Sequence, residues 1–333
     1  MAITGSSGAT PRLSRRTVLT GAAALIAGAA GVPARPARAA QAPRIRAAAA
    51  GWSGRDGELL VLTEESEPTG AADYALRVLE PAGAAEPGAA VTGALGPPLP
   101  LPLPGDFAPH SMAATGPVLW VTGARELAPD RVRPALVRIE NGVGGYVDLP
   151  VPEDVRSGVA TAASPLGSGL AVAIEGGPGE HLAALSRSHL AVTADGARTW
   201  TGRRLADDLG EGYGTVLTET DRGLFAAVAD GAGTQFAFTG RLTEATALVL
   251  APAGTLPGAG RPMAAVAAAA HVSLFSDRDG AITETRFAPG RTESGTGGTA
   301  RDCACLGEVL AVPGRRGLRL ETDGTTIHIR GLD

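Results

Sequence analysis

The stretch that decides the fold is VTADGARTW, at 192–200. It sets a polar turn between two runs with strand character, SHLAV before it and RTWTGRRLA from 198 to 206, and it ends in one of only three tryptophans. Asp195 is placed to accept hydrogen bonds from the amides that follow it and so close an Asx-type turn. Gly196 supplies the backbone freedom for positive φ. Thr193 and Thr199 tie the two strand ends together. Trp200 then provides the large apolar surface that anchors the hairpin, with an indole N–H free to find a partner at the rim.

Working outward, runs of Val, Leu, Ile and Ala recur between Gly, Pro, Asp and Asn, which reads as strands separated by turns. They include ELLVLTE (58–64), PVLWVTG (117–123), GLAVAIEG (169–176), GLFAAVADG (223–231), HVSLFSD (271–277) and GEVLAVPG (307–314). No stretch keeps a helical period. With Leu60, Leu119, Leu170, Leu224, Val272 and Val309 as anchors, the gaps are 59, 51, 54, 48 and 37 residues, around the length of a propeller blade. A unit of four short antiparallel strands cannot cover both its faces alone, but units set radially cover one another. The expected fold is therefore all-β: a six-bladed propeller of four-stranded antiparallel blades, or seven-bladed if a long segment holds a degenerate unit. The small residues of 47–50 and 264–270 suit crowded strands near the axis. GPPLPLPLPGD (96–106) reads as an extended connector between the first two blades. ETDGTTIHI (321–329), IENGVGGYV (139–147) and SDRDGAI (276–282) carry D-G or N-G turns and are expected, like 194–200, to join third strands to fourth.

The turn at 193–200 resembles the Asp box of BNR/sialidase-type propellers, Ser/Thr-x-Asp-x-Gly-x-Thr-Trp. Thr193, Asp195, Thr199 and Trp200 fall in register, while Ala197 stands where the pattern has Gly and Gly196 sits one earlier. The resemblance implies a structural box lying away from any ligand site.

The N-terminus resembles a twin-arginine (Tat) export signal. Arg15 and Arg16 precede Val18 and Leu19, a short Ala/Gly-rich apolar run follows at 21–32, and Ala37-Arg38-Ala39 suits a signal peptidase. The apolar run is shorter than the ~20 residues that span a bilayer. The expectation is a cleaved segment 1–39, a single domain over 40–333, secretion through the Tat pathway and no stable membrane insertion. Five arginines and no acid lie in 1–39, so 24 basic and 34 acidic side chains remain beyond it. That balance argues against nucleic acid as a partner. Every basic residue is Arg, which with the Ala, Gly and Pro usage suggests a GC-rich, actinobacterial genome.

Candidate chemistry is sparse. Cys303 and Cys305 are open between a tight disulfide and two free thiols. The five histidines (110, 181, 189, 271, 328) show no metal-ligand spacing, so no metal and no cofactor are expected. A sialidase-like glycoside hydrolase, the activity the resemblance implies, needs an arginine cluster, an Asp acid/base and a Tyr activated by Glu. Near the start the chain reads Pro43-Arg44-Ile45-Arg46 where that family has Arg-Ile-Pro. Tyr74, Tyr146 and Tyr213 are the available phenols, and only Tyr213 has a carboxylate, Glu211, close in sequence. Asp207-Asp208 and Glu64-Glu65 are the adjacent acid pairs. The favoured reading is a secreted binding or scaffold module for a small molecule, a glycan or an envelope protein, with its ligand at one end of the central channel. The alternative is a hydrolase using that same axial face.

Overall fold

The computed structural model describes residues 43–52, 58–66, 72–81, 90–128, 130–180, 185–206, 214–243, 248–288, 300–303, 305, 307–323 and 326–332. Six blades surround one axis. The first contains β1 (Arg44–Ala50), β2 (Leu59–Ser66), β3 (Ala72–Pro81) and β4 (Ala90–Leu99). The second contains β5 (Phe107–Thr115), β6 (Val118–Ala128), β7 (Arg131–Glu140) and β8 (Val143–Val147). The third has β9 (Ser157–Leu166), β10 (Gly169–Gly177), β11 (Arg187–Thr193) and β12 (Thr201–Ala206). The fourth has β13 (Val216–Thr220), β14 (Gly223–Ala229), β15 (Gln235–Leu242) and β16 (Leu248–Leu256), and the fifth β17 (Arg261–Ala267), β18 (Val272–Arg278), β19 (Ala281–Phe287) and β20 (Ala300–Asp302). The sixth has three strands of its own, β21 (Glu308–Ala311), β22 (Leu318–Thr322) and β23 (Ile327–Gly331).

The fourth strand of the last blade is borrowed. Residues 90–93 of β4 pair with β23, while residues 93–99 pair with β3, so one strand edges both the first and the sixth blade. The ring is closed by this shared strand. Its crossover is Gly93, where an added Cβ would stand 2.6 Å from Leu79 Cδ1. The first strands of the blades neighbour one another in chain order, and β21 returns to β1.

Packing explains why the strand runs look continuously apolar. Along β1 and β2, Ala47, Ala49, Leu60 and Leu62 face the second blade, while Ala48, Ala50, Leu59 and Val61 face the sixth. Strand side chains alternate, and here both faces are covered, so no polar face is left to mark the period. The same arrangement gives an apolar cluster at each seam between neighbouring blades. Among the described residues, no helix is long and apolar enough to cross a membrane.

Several local expectations need correction. Leu60, Leu119, Leu170, Leu224 and Val272 lie on second strands, but Val309 lies on the first strand of its blade. The equivalent position is near Leu320, 48 residues after Val272, which removes the short final gap. Leu318–Thr322 carries Arg319 and Glu321 and so reads from the sequence as a half-exposed strand. Of the three fainter turns, Asn141-Gly142 joins a third strand to a fourth. Asp279-Gly280 and the 323–326 turn join second strands to third, since a two-residue hairpin signal is the same at either place. Residues 96–99 belong to β4 rather than to a connector; β4 tolerates Pro97 and Pro98 at the outer edge, where the ladder is incomplete.

Candidate functional site

Antiparallel pairing puts the first-to-second and third-to-fourth turns at one end of every blade, and the incoming connections at the other. VTADGARTW therefore lies at the end opposite the mouth formed where the inner strands begin. Thr193 Oγ1 donates to Asp195 Oδ1 (2.9 Å), and the amides of Arg198 (3.0 Å) and Thr199 (2.9 Å) donate to the same oxygen. Thr199 Oγ1 donates to Asp195 Oδ2 at 2.6 Å, and the Ala197 amide donates to Thr193 Oγ1 at 3.0 Å. These bonds, led by those from Thr199, hold the Asp195 carboxyl below its ordinary range. Gly196 and Ala197 both take positive φ, +71° and +70°. Trp200 packs on the cluster between the second and third blades, with its indole N–H buried and unpartnered. Cys303 and Cys305 are joined in a disulfide with a Cα–Cα distance of 5.1 Å, beside Phe275 and Val309.

The mouth end holds the chemistry. A cavity of about 590 Å³ on the axis takes lining residues from all six blades. Its charged and titratable groups come from where the inner strands begin: Arg44 and Arg46 on β1, His110 on β5, Arg261 on β17 and Glu308 on β21. Asp277, near the end of β18 in the fifth blade, completes the set. Arg44 Nη2 stands 3.4 Å from Glu308 Oε2, and Arg46 is paired with the buried Glu64. Asp277 Oδ1 accepts from the Gly280 amide at 2.8 Å. Arg261 is exposed to the channel and makes no ion pair or hydrogen bond with any described side chain; Gly214 leaves room beside its guanidinium. His110 is open to the channel water yet ringed by protein. Enclosure, then the charges of Arg46 and Arg261, lower it to about 4 against a hydrogen bond to the Thr161 main chain. The two arginines are the firmer cause, because water reaches the ring.

Behind this wall, Glu175 on β10 is fully buried. Its Oε1 accepts from both the amide and the hydroxyl of Thr215, a channel residue, while Oε2 has no partner. Burial raises its carboxyl to about 7, against the Thr215 bonds and the nearby Arg261 charge.

The other sequence candidates lie elsewhere. Tyr74 packs beside the first seam, and Tyr146 is on β8, where it donates to Asp106 Oδ1 at 2.8 Å. Partial burial and that acceptor raise the Tyr146 phenol above its ordinary range, which makes it a poor nucleophile. Glu64 and Glu65 are neighbours on one strand and point to opposite faces; Glu65 pairs with Arg77. His189 Nε2 is 3.1 Å from Asp154 Oδ2, which also receives Arg204. His271 sits just before β18, its imidazole lowered by burial and then by Arg286, and His328 is on β23 opposite Glu321. His181, Asp207, Asp208, Glu211 and Tyr213 lie outside the described residues. Among the described residues, no group of three His, Cys, Asp or Glu side chains could hold a metal ion. Sequence reasoning noted Arg44 and Arg46, named His110 only among five histidines without metal-ligand spacing, and missed Arg261, which carries no motif.

No protein-family model matches the chain, nor does any curated protein. Solved structures do. A Trypanosoma rangeli sialidase in complex with sialic acid is 11% identical with a TM-score of 0.50, covering 88% of this chain and 55% of its own. The chain thus spans about half of that sialidase. A subtype N10 neuraminidase-like protein of A/little yellow-shouldered bat/Guatemala is 9% identical with a TM-score of 0.48, covering 90% and 97%. A PQQ-bound aldose sugar dehydrogenase from Streptomyces coelicolor is 9% identical with a TM-score of 0.44, covering 88% and 96%. At 11% identity the likeness to the first of these shows the fold, a β-propeller, and no activity.

Proposed function

We propose that the chain is a secreted binding module whose axial mouth takes a small anionic ligand. One observation carries this reading: the Arg261 guanidinium faces the cavity with no ion pair or hydrogen bond to a described side chain, in a mouth shared with Arg46 and His110, although Asp277 is its cross-strand partner and its charge reaches Glu175. A free guanidinium in a confined site recognises carboxylate or phosphate oxygens through paired hydrogen bonds. Export would follow from Arg15, Arg16 and the cleavage site after Ala39, and mass spectrometry of culture supernatant would find a chain beginning at residue 40.

The test is a calorimetric screen of the purified protein against neutral and acidic glycans and glycosides, with released sugar measured in the same samples. The expected result is saturable binding of acidic members, weakened at least ~10-fold by Arg261→Ala (about 1.4 kcal/mol) and without turnover. Equal binding to the variant would remove the reading. A second reading, a glycoside hydrolase on this face, is favoured by the Glu308 and Asp277 carboxylates beside the arginines. Sugar release abolished by Glu308→Gln or Asp277→Asn would establish it.

A further inference from the structure

A second arginine-lined cavity lies away from the axis, between the second and third blades. It measures about 610 Å³ and is bounded by the β6–β7 end of the second blade and by the 148–156 connection into β9. By strand direction it opens at the same end of the ring as the channel mouth. Arg125 and Arg133 are direct cross-strand partners on β6 and β7. Like charges placed opposite each other in a sheet destabilise it. Only one of the pair is compensated: Arg125 Nε lies 2.7 Å from Asp106 Oδ2, and its guanidinium carbon sits 5.0 Å from the centre of the Tyr146 ring. Arg133 and Arg156 line the cavity with no ion pair to a described residue. The lining also carries apolar side chains, from Pro134, Val147, Leu149 and Val151.

We propose that this groove is a separate ligand site, which takes a hydroxylated monocarboxylic acid of the uronic-acid sugar type. Its carboxylate bridges Arg133 and Arg156, which offsets the repulsion between Arg133 and Arg125. The apolar lining residues cover a C–H face of the ring. Asp148 and Glu153 also line the groove, and they select the class of ligand. They accept from hydroxyl groups, and they oppose a second negative charge, so a carboxylate is preferred over a phosphate dianion.

Titration calorimetry on the purified protein tests the site with D-glucuronate, D-glucose and D-glucose 6-phosphate. Saturable binding of glucuronate is expected, with none for glucose and weaker binding for the phosphate. Arg133→Gln and Arg156→Ala each weaken glucuronate at least ~10-fold, while Arg203→Ala, exposed on β12 and lining neither cavity, leaves it unchanged. Arg133→Gln also keeps or raises the melting midpoint, since it removes a like-charge pair. The proposal is overturned by absence of saturable glucuronate binding, by glucose 6-phosphate binding more tightly, or by loss on Arg261→Ala with Arg156→Ala unaffected. A melting midpoint lowered by Arg133→Gln would overturn it too, because Arg133 would then be structural.

Discussion

Blades three and six each bury a glutamate completely on the second strand, and the two are treated in opposite ways. Glu321 on β22 is held by two guanidiniums, Arg319 Nε at 2.8 Å and Arg330 Nε at 2.9 Å, one on its own strand and one on β23. Glu175 on β10 has the Thr215 hydroxyl and amide on one oxygen and nothing on the other. The first is a staple in the blade that lacks a fourth strand of its own. The second sits directly behind the channel wall, and its proton is adjustable near neutral pH. Burial is equal, so the partners decide whether a carboxylate braces the fold or titrates.

The strongest way to break this comparison is to remove the braced carboxylate. Glu321→Ala leaves two partly buried arginines facing each other and is expected to cost about 3–5 kcal/mol in urea unfolding. A loss near that of a surface substitution would show that the shared strand β4, not the ion triad, secures the last blade.

Next in size is the pH response of Glu175. Its carboxyl is raised from 4.5 to about 7, so the folded chain binds that proton more tightly than the unfolded chain. The stability it contributes is fully present below about pH 4.5 and is lost as pH rises through about 7, on the order of 3 kcal/mol in all. Unfolding midpoints of the wild type and Glu175→Gln between pH 4.5 and 8 should converge in difference at the acid end and spread at the alkaline end, with the variant relatively more stable there. Parallel curves would remove the adjustable proton from the comparison.

The smallest effect concerns the turn beneath blade three. Ala197 carries a left-handed φ of +70° that costs a residue with a Cβ about 1 kcal/mol. Ala197→Gly should therefore raise stability by up to about 1 kcal/mol, measured as a shift in melting midpoint. A decrease would show that the methyl group, which packs on the same cluster as Trp200, outweighs the backbone strain.

Much of the architecture was legible because its causes are local. Apolar runs bounded by turn residues located most strands, and Asp195 with its neighbouring amides closed a turn using bonds that span at most four residues. The errors fall where a local signal has two meanings. Asp279-Gly280 makes a hairpin wherever it stands, and Glu321 looks like an exposed strand residue until Arg330 is placed beside it. At the axial mouth the separations are long: Arg46 and Arg261 both act on His110 from blades on different sides of the ring. Nothing in the residues around Arg261 marks it as different from the other arginines.

The sequence by itself determined that this chain makes short, two-faced apolar strands in repeating groups, since alternation and turn chemistry act between neighbours. Only the tertiary structure decided which groups stand together: the shared β4, the arginines on the axis and in the lateral groove, and the different fates of Glu175 and Glu321. Closing the ring brings together residues more than 200 positions apart, such as Arg44 and Glu308, and the electrostatics of the axial mouth arises from that encounter.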